Sequence, residues 1–144
     1  MVNLSEFSYK EAIELIIGFY TGTVGYWKDE LDKIPEVKRF VEMQMTQSDD
    51  VYTDRIVLSS RGRQYLHTYI EDISEKFIGY MKEKNYESSC SEINRWFMDE
   101  FKLDTLDDGE EIAKYICENL YHYGYRASRG YSSQKKDFYQ IDRI

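Results

Sequence analysis

The chain of 144 residues predicts a mostly α fold with a small β component, an α+β class, on three observations. Apolar residues recur at i, i+3, i+4 and i+7 through most of its length. Two of those stretches open with Ser and Glu at capping-box spacing, Ser8 with Glu11 and Ser89 with Glu92. The helical period lapses at Ile56–Leu58 and again beyond Tyr125, where short β-type runs replace it. With 42% hydrophobic residues, 1 Pro and 8 Gly, the composition excludes a disordered tail, a linker or a collagen-like rod.

The elements follow in order. Ala12, Leu15, Ile16 and Phe19 give the first helix its buried face, from about Ser8 to Tyr20, and Gly22 and Gly25 end it. A short helical piece is expected over Trp27–Lys33. Pro35, pre-set for a first helical position, opens the next helix, whose apolar face is Val37, Phe40, Val41 and Met45. Ser48–Asp54 reads as a polar loop and Ile56–Leu58 as a strand, turned by the Ser59–Arg63 corner. Leu66, Tyr69, Ile70, Ile73, Phe77, Ile78 and Met81 then predict one long helix from about Arg63 to Lys84, the spine of the fold. After a Tyr86-Glu87-Ser88 link, Ile93, Trp96, Phe97 and Phe101 form an aromatic stripe on a helix that would bury against that spine. Leu103–Gly109 reads as a turn with Asp107 or Asp108 as cap, and Ile112, Tyr115, Ile116, Leu120 and Tyr123 as the face of the next helix, stopped at Gly124. Arg126–Gly130 and Lys136–Ile141 read as two antiparallel strands. No internal repeat shows in the sequence.

Charge narrows the function classes. The chain carries a formal charge of -8, which repels nucleic acid and anionic membrane unless a local basic patch reverses the field. The C-terminal third is dipolar: Asp104–Glu118 holds six acids and one Lys, whereas Tyr121–Lys136 holds Arg126, Arg129, Lys135 and Lys136 without an acid. The 2 Cys, Cys90 and Cys117, are expected as free thiols in a reducing cytoplasm. No apolar run approaches the roughly 18 residues that a membrane span needs, and no secretory segment is recognisable.

The order helix, short link, helix, acidic turn, helix and basic two-stranded hairpin, over about residues 65–141, resembles a winged helix. Asn119-Leu-Tyr-His-Tyr-Gly-Tyr-Arg is similar to the end of a recognition helix in that superfamily, and Arg126–Tyr139 to its wing. Ile56-Val-Leu-Ser-Ser-Arg-Gly-Arg-Gln-Tyr-Leu resembles the strand-to-helix exit after the wing of bacterial winged-helix repressors, which implies that the N-terminal half is a degraded second copy. The expected organisation is a single compact domain over 1–144, with a helical N-terminal part (1–60) packed on a winged-helix-like module (61–144). The resemblance implies nucleic-acid binding through the third helix and the wing. It also implies protein binding, a second use of such modules. On a helical wheel the outer face of the third helix carries Glu110, Glu111, Lys114, Cys117, Glu118 and Tyr121. That face is acidic and opposes phosphate, and only Arg126, Arg129, Lys135 and Lys136 would offset it, with Tyr125 and Tyr131 as stacking faces for single strands. A solvated, charge-protected sheet edge accounts equally for the basic hairpin.

Chemistry-bearing patterns are sparse. With only His67 and His122, His-rich metal sites and most proton relays are excluded by number. Cys90 sits at a helix start, where backbone N–H groups lower a thiol pKa, so a Cys90-dependent activity is the one enzymatic alternative. Asp104–Gly109 fails as a calcium loop because Leu106 and Tyr115 occupy ligand positions, and Asp49, Asp50 and Asp54 read as a solvated loop. No cofactor, metal or catalytic residue is expected. The 14 Tyr weigh most: Tyr121, Tyr123, Tyr125 and Tyr131, with Tyr115, crowd one segment, and Tyr is enriched at interface hot spots. The sequence thus predicts a small, non-enzymatic, acidic cytoplasmic protein that binds a protein partner, as inhibitors and immunity or counter-defence proteins do. The alternative is a nucleic-acid-binding regulator using Arg126, Arg129, Lys135 and Lys136. No membrane partner is expected; homodimerisation through Trp27, Phe40 and the long helix is compatible with the apolar content.

Overall fold

Most helices start after a side chain that accepts one of their free amides, and one starts at a proline instead. In the computed structural model, which describes residues 7–21, 25–130 and 137–144, the chain divides into two compact units, Met1–Tyr69 and Ile70–Ile144. The first opens with α1 (Tyr9–Tyr20), capped reciprocally: the Glu11 amide donates to Ser8 Oγ and the Ser8 amide to Glu11 Oε1, each at 3.1 Å. Strand β1 (Tyr26–Trp27) follows, then a 3₁₀ turn (Lys28–Lys33). Trp27 therefore ends a strand instead of opening a helix. Pro35 starts α2 (Pro35–Glu42), and β2 (Thr46–Ser48) lies in what the sequence reads as the approach to a loop. Met45 is buried but lies past α2, beyond a turn made by Gln44 at φ 63°.

Strand β3 (Arg55–Leu58) is the centre of the first sheet, with β1 and β2 antiparallel on its two sides. Ser59 Oγ accepts the Gly62 amide at 3.1 Å, so α3 (Ser60–Glu83) begins three residues ahead of its sequence-based start. The core of this unit is aromatic. Phe7 meets Phe40 and Tyr65 edge-on at 5.7 and 5.9 Å, and Tyr69 donates its hydroxyl to the Phe7 carbonyl at 2.8 Å. Phe40 is fully buried here, which removes it from any dimer surface.

The second unit takes up the remainder of α3. Beyond a turn in which Asn85 and Tyr86 both adopt positive φ comes β4 (Glu87–Ser89), where the sequence suggests only a link. Helix α4 (Cys90–Glu100) is capped by Ser89, whose Oγ accepts the Glu92 amide. The Glu92 carboxylate turns to Ser88 Oγ at 3.2 Å instead of closing the box. Helix α5 (Leu106–Asn119) is capped by Thr105, which accepts the Asp108 amide at 3.1 Å; neither Asp107 nor Asp108 is the cap. A 3₁₀ turn (Leu120–Tyr123) and Gly124, at φ 85°, lead into β5 (Tyr125–Gly130) and β6 (Phe138–Arg143). The aromatic stripe of α4 buries against α3 as predicted, with Phe97 5.2 Å and Trp96 6.0 Å from Phe77.

The two units share one connectivity. Each runs helix, strand, helical segments (two in the first unit, three in the second), strand, strand, and in each the last strand lies in the middle of the sheet: β1-β3-β2 in the first, β4-β6-β5 in the second. Helix α3 follows β3 in the chain and also serves as the opening helix of the second unit. The fold is thus mostly α with two small antiparallel sheets, the class the sequence predicts. Among the described residues no helix is long and apolar enough to cross a membrane.

Candidate interaction surface

Helix α5 buries Ile112, Ala113, Ile116 and Cys117, because these positions share one face at 3.6 residues per turn. Its opposite face is set by what remains: Asp107, Glu110, Glu111, Lys114 and Glu118 are exposed. Cys117 is 5% exposed and does not belong with them, contrary to the wheel. Burial pushes its thiol up. Four acids and one Lys therefore look outward from this helix, and Leu106 stands 46% exposed at its start.

The tyrosines after α5 occupy three environments. Tyr121 is 58% exposed and leans on His122, ring centres 4.1 Å apart. Tyr123 is half-buried and hydrogen-bonds to Ser74 of α3, while burial pushes its hydroxyl up. Tyr125, also half-buried, lies under the Arg143 guanidinium at 5.9 Å. One of these three rings is open to a partner, Tyr121. Tyr131, with Lys135 and Lys136, lies outside the described residues.

The hairpin pairs Tyr125 with Arg143 and Gly130 with Phe138 at its two ends. Side chains alternate across it, so Ala127, Tyr139 and Ile141 face inward while Arg126, Ser128, Gln140 and Asp142 are exposed. The register sets Arg126 directly opposite Asp142. Arg129 binds Asp137 in a bidentate fork, Nε at 2.9 Å and Nη2 at 2.8 Å, and these hydrogen bonds hold the Asp137 carboxyl below its ordinary range. Both described cations of the predicted basic patch thus face a carboxylate. Asp137 and Asp142 are the residues that the sequence reading missed. Asp137 follows Lys136 directly and Asp142 stands a few residues further on, but only closure of the hairpin makes them partners of Arg129 and Arg126.

Cys90 is 8% exposed, and its amide donates to the Asp137 carbonyl at 2.7 Å. The expected lowering of its thiol pKa by the helix start is reversed: burial pushes it up, and nearby Arg129 offsets this only in part. The crevice it shares with Asn94, Glu110, Lys114, Arg129 and Tyr139 has a volume of about 20 Å³, space for about one water. His67 is exposed on α3. Among the described residues no three His, Cys, Asp or Glu side chains converge as a metal site. Asp49 Oδ2 instead accepts the Tyr52 amide at 3.3 Å within its own loop. Comparison with protein-family models, with curated proteins and with solved structures finds no match.

Proposed function

We propose that this chain is a non-enzymatic binding protein of the cytoplasm that acts by occupying a protein partner, as an inhibitor or immunity-type protein does. The observation that carries the reading is the exposed face of α5, with Asp107, Glu110, Glu111 and Glu118 against Lys114. A like charge brought within about 4 Å of that face costs roughly 1 to 4 kcal/mol, depending on exposure. Phosphate is disfavoured there and a basic protein surface is favoured. Exposed Tyr121, just beyond Glu118 at the C-terminal end of this helix, supplies an aromatic anchor of the kind that dominates interface energetics.

A second reading has its own support. The order α3, β4, α4, α5, β5, β6 with β6 central in the sheet fits a winged-helix module, and the same connectivity in the first unit fits a tandem arrangement. On this reading the hairpin, through Arg126, Arg129, Lys135 and Lys136, contacts nucleic acid. Affinity capture with the full chain separates the two readings. A protein retained by the parent chain, released by Tyr121→Ala and unaffected by nuclease supports the first. Capture that nuclease abolishes overturns it in favour of the second.

A further inference from the structure

Sheet register brings two distant segments of the first unit together at one end of its sheet. Trp27 is the Cα partner of Arg55, the Lys28 amide donates to the Asp54 carbonyl at 2.8 Å, and the Asp49 amide donates to the Arg55 carbonyl at 2.9 Å. The β2–β3 connection is tied internally as well: the Arg55 amide donates to the Tyr52 carbonyl at 2.9 Å and the Tyr52 amide to Asp49 Oδ2. On this frame Trp27 meets Tyr52 edge-on at 6.4 Å, and the Arg55 guanidinium stands 5.6 Å over the indole.

These aromatic rings are left open. Trp27 is 40%, Tyr52 56% and neighbouring Val51 77% exposed, whereas the aromatic core of the same unit is closed around Phe7, Phe40 and Tyr65. A Trp met by both a Tyr and an Arg, held by backbone hydrogen bonds, has the composition of an interface hot spot whose ordering cost is already met. Their surround sets the partner's charge. Asp29, Asp49, Asp50 and Asp54 lie within three residues of Trp27 or Tyr52 along the chain, against Lys28 and Arg55, and Arg55 is engaged on the indole. Such a rim attracts a basic partner and repels nucleic acid.

We propose that this end of the first sheet is a docking surface for a basic segment of a partner protein that presents an aromatic or aliphatic anchor to Trp27 and Tyr52. The proposal rests on the protein-partner reading and adds a second surface to it, remote in sequence from Tyr121.

The test is selection of binders to the immobilised full chain from a random-peptide display library, followed by titration of the winners. Lys- and Arg-rich peptides with one large apolar residue are expected, and Trp27→Ala and Tyr52→Ala should each weaken them by about 30-fold or more. Tyr52→Ala lies in a connection and keeps the backbone bonds, so it holds the test open if Trp27→Ala disturbs the strand. Asp50→Lys should weaken binding and flatten its salt dependence. Acidic winners, winners indifferent to both aromatic substitutions, absence of any winner, or a self-associating chain that Trp27→Ala dissociates would each overturn the proposal, the last assigning the surface to a second copy. Winners lost with Tyr121→Ala but not with Trp27→Ala overturn this surface and leave the protein-partner reading standing.

Discussion

Replacing Gly109 by Ala tests how the two helices of the second unit meet. Gly109 lies in the first turn of α5, where an added Cβ would sit 2.4 Å from the Asn94 carbonyl oxygen of α4, about 1 Å inside the 3.4 Å at which ordinary contact begins. The obstacle is backbone, so no rotamer relieves it and the helices must separate. Overpacking of this kind costs about 1–3 kcal/mol, and the upper part of that range applies to a main-chain clash. Helix propensity works the other way, since Ala is better than Gly by about 1 kcal/mol inside a helix. The net expectation is a loss of about 1–2 kcal/mol. Gly79→Ala is the internal control: it lies in α3 with nothing within 4 Å of its added Cβ, so propensity acts alone and the variant should gain about 1 kcal/mol. Urea unfolding of the full chains, at unchanged m-value, reads both. If Gly109→Ala proves as stable as the parent while Gly79→Ala gains, the close approach of α4 and α5 at Asn94 is wrong.

Other consequences follow from the same contacts. Thr105→Ala should cost about 1 kcal/mol, because it removes the side chain that caps α5, whereas Asp107→Ala should cost no more than about half of that; denaturant titration ranks the two. Cys90 and Cys117 should react with a thiol reagent at pH 8 at least about 10-fold more slowly in the native chain than in denaturant, since burial pushes both thiols up. Equal rates would revive a reactive Cys90. The Arg129 hydrogen bonds depress the Asp137 pKa, so the pairing contributes above the ordinary Asp value of about 3.9 and is lost as pH falls through the depressed one. A carboxyl-detected NMR titration should place the Asp137 midpoint below that of exposed Asp residues, and Arg129→Gln should return it to them.

Most helices were legible because they repeat an apolar face over two or more turns and begin at a residue that can cap them; α2, without a side-chain cap, is marked instead by Pro35. Ser8 with Glu11, and Ser89 ahead of Ile93 and Phe97, carry that information locally. The cap of α5 was misplaced because Thr105 and the acids after it are all plausible acceptors, and only the chain's path selects Thr105. Strands β1, β2 and β4 were not legible. Two or three residues cannot display a period of two, and Glu87–Ser89 becomes a strand only because β6, some fifty residues on, offers it hydrogen-bonding groups. The repeated connectivity resides in strand order, and the two units share no phrase that reveals it; the one sequence feature that pointed to a second copy was the resemblance of Ile56–Leu66 to the strand-to-helix exit after a wing. For the candidate surface, sequence located the Tyr-rich segment but could not say that Tyr123 turns toward Ser74 while Tyr121 faces outward. It also read Arg126 and Arg129 as free cations, because Asp142 and Asp137 oppose them across a hairpin and not along the chain.

Protein, and not nucleic acid, is the proposed ligand of this chain. Fluorescence anisotropy of a labelled random duplex and a labelled single strand, titrated with the full chain at about 50 and about 200 mM salt, tests it most directly. The acidic face of α5, with Arg126 and Arg129 each opposite a carboxylate, predicts no binding at either salt concentration. Tight binding at the lower salt that falls steeply at the higher, and collapses in a chain carrying Lys135→Glu and Lys136→Glu, would contradict it.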